Sequence, residues 1–118
     1  MELQARDLRI GNWVNFKSNK QDWGDVRIET NFFRYLDKDW EYNPIPLTED
    51  WLLKFGWGKS EEHELCDNSN DVLFYYDYHF KRFWIEIDVD MVYLPHIKHV
   101  HSLQNLYFAL CGKELTLK

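Results

Sequence analysis

The stretch Phe83-Trp84-Ile85-Glu86-Ile87-Asp88-Val89-Asp90-Met91 decides how this chain folds. Apolar residues occupy every odd position, and the even positions hold Trp84 and three carboxylates. Period two is the mark of a strand with one face on a core, because successive side chains point to opposite faces of a sheet. The flanks are rich in aromatic and β-branched residues, so residues 72–79, 82–90 and 91–100 read as an antiparallel meander. Read as one strand through Met91, the alternation lines up Glu86, Asp88 and Asp90 about 7 Å apart on the outer face.

Working outward, residues 48–55 predict a short helix. Thr48 is a good N-cap, Glu49 and Asp50 put negative charge at the first turn, and Trp51, Leu52 and Phe55 form its apolar face. Gly56 suits a left-handed stop. A second helix is expected from a Ser102 cap to Cys111, with Leu103, Leu106, Tyr107 and Leu110 on one face and Gly112 after it. Residues 114–117 are read as an edge strand. Towards the N-terminus, residues 6–16 are expected to form a strand bent at Gly11-Asn12, and residues 17–20 a polar turn. Further strands are expected at 25–30 and 32–36, with a turn at 37–39. Asn43-Pro44-Ile45-Pro46 must be extended or loop. The acidic stretch 59–71 reads as a loop or irregular hairpin end. The expectation is an α+β fold in which antiparallel sheets are covered by two short helices, in a single compact domain spanning 1–118.

The chain has 118 residues, 45% hydrophobic and 18% aromatic, with six tryptophans, which excludes a disordered polymer. The formal charge is −6, and it is unevenly placed. Residues 1–40 carry seven basic and seven acidic side chains, so the whole excess falls on 41–118. This disfavours direct binding to duplex DNA, which needs Lys and Arg against phosphates, and favours partners with a basic surface. Moderate negative charge also serves plain solubility. Cys66 and Cys111 lack the spacing of a disulfide scaffold, which suggests a reducing, cytoplasmic compartment. No signal peptide or membrane-length apolar run is legible.

Motifs for catalysis are missing from the sequence: there is no phosphate-binding glycine loop, no nucleophile elbow, and His63-Glu64 has Asp67 where a second zinc-binding histidine would stand. His96, His99 and His101, with His63 and Cys66, contain ligand types for zinc but no known spacing, so neither a metal nor a cofactor is expected. Two surfaces remain. Trp84, Glu86, Asp88 and Asp90, together with Glu61, Glu62 and Glu64, pair an aromatic with carboxylates, as a protein-docking face does. Arg9, Lys17, Lys20, Trp23 and Arg27 instead pair an aromatic with cations, as a single-stranded nucleic-acid platform does. For each, ordinary packing and a solvated outer face are the plain alternatives.

Three segments carry a resemblance: Leu8-Arg9-Ile10-Gly11-Asn12-Trp13-Val14, Ile45-Pro46-Leu47-Thr48-Glu49-Asp50-Trp51-Leu52-Leu53-Lys54-Phe55-Gly56 and Val100-His101-Ser102-Leu103-Gln104-Asn105-Leu106-Tyr107-Phe108-Ala109-Leu110. Together they resemble small prophage and mobile-element proteins of Bacteroidetes, with residues 58–96 as the part that differs. Such proteins often inhibit host defence. The resemblance therefore implies an anti-CRISPR-like, non-enzymatic inhibitor, working in the bacterial host cytoplasm on an RNA-guided nuclease of Cas13b or Cas9 type, or on its guide-RNA complex. A single-stranded nucleic-acid binder and a phage assembly adaptor are the alternatives.

Overall fold

A computed structural model describes residues 8–18, 22–29 and 40–118. The chain is an α+β protein with two antiparallel sheets and two helices. In chain order the elements are β1 (Trp13–Ser18), β2 (Asp22–Arg27), β3 (Trp40–Asn43), α1 (Glu49–Lys54), β4 (Gly58–Glu61), β5 (Glu64–Asp67), β6 (Leu73–Asp77), β7 (Arg82–Ile87), β8 (Asp90–Tyr93) and α2 (Val100–Cys111). The first sheet has the order β2-β1-β3, and the second is an uninterrupted meander, β4-β5-β6-β7-β8.

Both helices end as their sequences dictate. The Thr48 side chain accepts a hydrogen bond from the Trp51 amide at 3.3 Å, and Gly56 follows α1 at φ 89°. A side chain at Gly56 would be blocked twice, by this left-handed backbone and by the Lys118 stem 2.5 Å from where its Cβ would lie. A six-residue helix has no stability of its own, so burial of Trp51 and Leu52 is what holds α1. The start of α2 differs from expectation. The helix begins at Val100 after an extended His99, and Ser102 lies within its first turn. The apolar run Ile97 and Val100 is buried, and the Val100 amide bonds to the Ile45 carbonyl, which fixes the earlier start.

The main core joins the inner face of the meander (Leu65, Phe74, Tyr76, Phe83, Ile85) to α1 and to Ile97, Val100, Leu103 and Tyr107. A second cluster holds Leu8, Val14, Phe16 and Ile28 under the first sheet. The two regions meet at a buried polar junction. Gln104 donates to the Gly11 carbonyl (3.0 Å) and accepts from the Trp13 amide (2.8 Å). Asn12 donates to Asn105 at 3.0 Å, and its Oδ1 accepts from the Arg9 amide. The Arg9 guanidinium binds Asn105, the Gln104 carbonyl and Glu114, and lies 4.5 Å from the Phe108 ring centre. Gly11 at φ 98° turns the chain so that its carbonyl can be read by Gln104.

Several expectations are corrected. The opening strand starts at Trp13; before it Leu8 packs in the second cluster, and Arg9, Gly11 and Asn12 serve the junction; Lys17 and Ser18 belong to β1, and β2 starts at Asp22. Residues 59–71 hold two strands, because the pairs Gly58–Cys66 and Lys59–Leu65 bury Leu65 while polar side chains face out. Beyond Tyr93 the chain leaves the sheet. Residues 114–117 pair with no strand among the described residues; they run alongside α1, with Leu115 buried and the Lys118 amide bonded to the Lys54 carbonyl. The expected strand at 32–36 and turn at 37–39 lie outside the described residues.

Candidate functional site

Strand register, not sequence spacing, assembles the most distinctive surface. The pairs Cys66–Tyr75, Tyr75–Trp84 and Trp84–Tyr93 place one residue from each of β5, β6, β7 and β8 in a single row across the outer face. Directly opposed residues stand about 5 Å apart, close enough for their rings to touch. The Tyr75 and Trp84 rings are stacked, with centroids 5.4 Å apart and planes 6° from parallel, and Tyr93 leans on Trp84 at 5.9 Å and 44°. Tyr75 and Trp84 are half-buried, while Tyr93 is 58% exposed at the sheet edge. Among the described residues no helix lies over this row, because α1 and α2 pack on the opposite face.

Carboxylates flank the ladder on both sides. Glu64, Asp77 and Arg82 form the neighbouring row, and Leu73, Glu86 and Met91 the row beyond. The Tyr75 hydroxyl shows their field: its pKa is raised, first by burial and then by Glu86, Cys66 and Glu64. Ring faces bordered by carboxylates suit a partner that brings both apolar surface and cations.

The carboxylate row expected along β7 does not exist. The strand ends at Ile87, and Asp88 and Val89 form a two-residue hairpin loop in which Asp88 takes φ 57°. Asp90 pairs with Ile87, on the opposite face from Glu86. Of the predicted docking residues, the structure therefore joins Trp84, Glu86, Glu64 and Glu61, the last directly opposite Glu64 at the end of β4. Glu62 sits at the exposed β4–β5 turn, and Asp88 at the far turn. Tyr75, Tyr93, Met91 and Asp77 were absent from that prediction. Their signal was in the sequence, as the alternation of Tyr75 and Asp77 against Phe74 and Tyr76, but it becomes a surface only once the two hairpin turns fix the register.

Among the described residues the N-terminal cations are not gathered into one platform. Arg9 is committed to the junction, Arg27 pairs with Glu29 at 3.2 Å, and Asp22 and Asp25 stand opposite Lys17 and Asn15. Trp23 is 55% exposed and meets Phe16 edge-on, and Lys20 lies outside the described residues. The histidines are dispersed too. His63 stacks on His79 at 4.9 Å, His99 stacks on His101 at 5.9 Å, His96 is exposed in the loop after β8, and Cys66 sits in β5 beside Tyr75. Among the described residues no three His, Cys, Asp or Glu side chains form a metal-binding group, and no helix is long and apolar enough to cross a membrane.

No family model matches the chain, and neither a curated protein nor a solved structure is similar to it.

Proposed function

We propose that this protein is a non-enzymatic binding module that docks a partner protein with a basic surface onto the outer face of its five-stranded sheet. The ladder Tyr75–Trp84–Tyr93, covered by neither α1 nor α2 and flanked by Glu64, Asp77 and Glu86, carries the reading. Aromatic rings in a polar rim are the surface chemistry that concentrates binding energy at protein interfaces, and the carboxylates add steering and register. With the resemblance to prophage proteins, the partner class we favour is a host RNA-guided nuclease of Cas13b or Cas9 type, which the module inhibits by covering basic surface.

The test is target cleavage by a purified, guide-loaded nuclease of each type with the protein added in excess. The reading expects inhibition that Trp84→Ala and Glu86→Lys each remove while the variants remain folded. Undiminished cleavage by both nuclease types would reject that partner class, and inhibition that survives both substitutions would reject the surface.

A further inference from the structure

One cavity runs against the charge of the whole molecule. Beside the ladder, where β7 begins and β8 ends, a pocket of about 410 Å³ is lined by Lys81, Arg82, Phe83, Tyr93, Pro95 and Lys98. Three of its six lining residues are cations and none is a carboxylate, although residues 41–118 carry nearly twice as many acids as bases. Lys81, Arg82 and Lys98 have no ion pair among the described residues, as is also true of Lys17, Lys54, Lys113 and Lys118, but only here do three such cations line one pocket. Arg82 is held instead by the Phe80 ring, 5.3 Å from its guanidinium carbon, which orients the fork without neutralising it. Lys98 makes itself felt on its neighbour as well: after burial, its charge is the largest influence lowering the His99 pKa.

Cations converging on one cavity repel one another unless an anion joins them. Arg presents a planar fork suited to phosphate oxygens, and lysines add point charges beside it. The rest of the lining is flat and apolar. Phe83 is the buried floor, Pro95 a wall, and the Tyr93 ring, tilted against Trp84 and 58% exposed, offers a stacking surface. The volume falls in the range of small-molecule sites.

We propose that this pocket binds a nucleotide, with the phosphate held by Lys81, Arg82 and Lys98 and the base stacked on Tyr93. The pocket shares Tyr93 with the docking ladder and borders it at Arg82, but its cations Lys81 and Lys98 lie outside that face, and its test does not depend on a protein partner. The same chemistry is offered by a free mononucleotide and by the 5′-phosphorylated end of a single strand.

The experiment is titration of the full chain, followed by backbone amide NMR shifts, with adenosine 5′-monophosphate, adenosine, inorganic phosphate, and a 5′-phosphorylated tetranucleotide beside its unphosphorylated form. The expected order is nucleotide over phosphate over adenosine, with shifts centred on residues 81–83, 93 and 98. Arg82→Gln, Lys98→Gln and Lys81→Asn, the last chosen because residue 81 is left-handed at φ 55°, should each weaken nucleotide binding about tenfold. All three side chains are exposed, so the variants keep the fold. Tyr93→Ser should erase the advantage of nucleotide over phosphate. Tighter binding of the phosphorylated tetranucleotide than of the mononucleotide identifies a strand end as the source, and the reverse a free nucleotide. Equal binding of adenosine and its monophosphate, binding that survives the cation substitutions, or no shift with any probe at millimolar concentration overturns the proposal. So does binding of an acidic peptide alone.

Discussion

The junction between the N-terminal sheet and α2 and the outer face of the five-stranded sheet are built on opposite principles. At the junction, Asn12 and Gln104 are almost wholly buried, and both exchange hydrogen bonds across more than 90 residues of sequence. Buried polar groups of this kind are costly unless every partner is present, so they specify one arrangement of the chain. The outer face has no such network: its rings rest on one another and stay half-open. Residues 8–14, 45–56 and 100–110 supply the junction and the α1–α2 contacts. The aromatic ladder lies in the meander between the last two of these segments. One region is frame, and the other is free to be a working surface.

Breaking the frame should therefore cost stability, and breaking the ladder should cost binding. The largest effect is expected for Gln104→Leu, which strands the Trp13 amide and the Gly11 carbonyl. Each orphaned group costs about 1–3 kcal/mol, so the loss should be about 3 kcal/mol in urea unfolding. Trp84→Ala should lose only about 1 kcal/mol of stability, since its contacts are ring against ring on an open face, yet about 2 kcal/mol or more of partner affinity. A loss of stability equal to that of Gln104→Leu would make the ladder part of the frame.

Charge sharpens the comparison at a finer scale. Glu86→Lys should abolish partner binding while Asp90→Lys leaves it nearly intact, because the two carboxylates lie on opposite faces. Equal effects would point to net charge rather than a surface.

The frame also carries a modest pH dependence. His99, whose backbone bridges Pro46 at the entry to α2, has its pKa lowered below 6.5, chiefly by burial and then by Lys98. Its neutral form is the one the fold prefers. Stability from this group is complete above the unfolded value near 6.5 and declines as pH falls below it, towards the folded pKa. His99→Gln should flatten the unfolding midpoint between pH 7 and pH 5. The smallest effect is that of Asp88→Gly, which relieves a left-handed aspartate in the hairpin loop. That relief is opposed by the greater freedom glycine gives the unfolded chain, so stability should change by less than about 0.5 kcal/mol, with binding unchanged.

What was legible in the sequence follows from the range of the forces involved. Thr48, Gly56 and Gly112 announce helix ends through local backbone chemistry, and the alternation in β6 and β7 announces an inner face. The start of α2 was misplaced because a tertiary bond, from the Val100 amide to the Ile45 carbonyl, outweighs the side-chain cap that Ser102 offered. The carboxylate row failed for a different reason. Period two continues unchanged through Asp88 and Val89, so nothing in the pattern marks the turn, and aspartate is among the few residues that enter a left-handed turn readily. Tyr75, Trp84 and Tyr93 are nine residues apart in succession, and only two hairpins of the observed lengths bring them into line. The role of Arg9 was equally hidden, because its partners Asn105 and Glu114 lie about a hundred residues away.

The most direct test is paired affinity capture from nuclease-treated bacterial lysate, quantified for the wild-type chain, a Trp84→Ala/Tyr93→Ala variant and a Lys17→Ala/Trp23→Ala variant. The ladder reading predicts a protein partner held by the wild type and by the N-terminal variant and lost by the ladder variant. Retention by the ladder variant with loss by the N-terminal variant would contradict it.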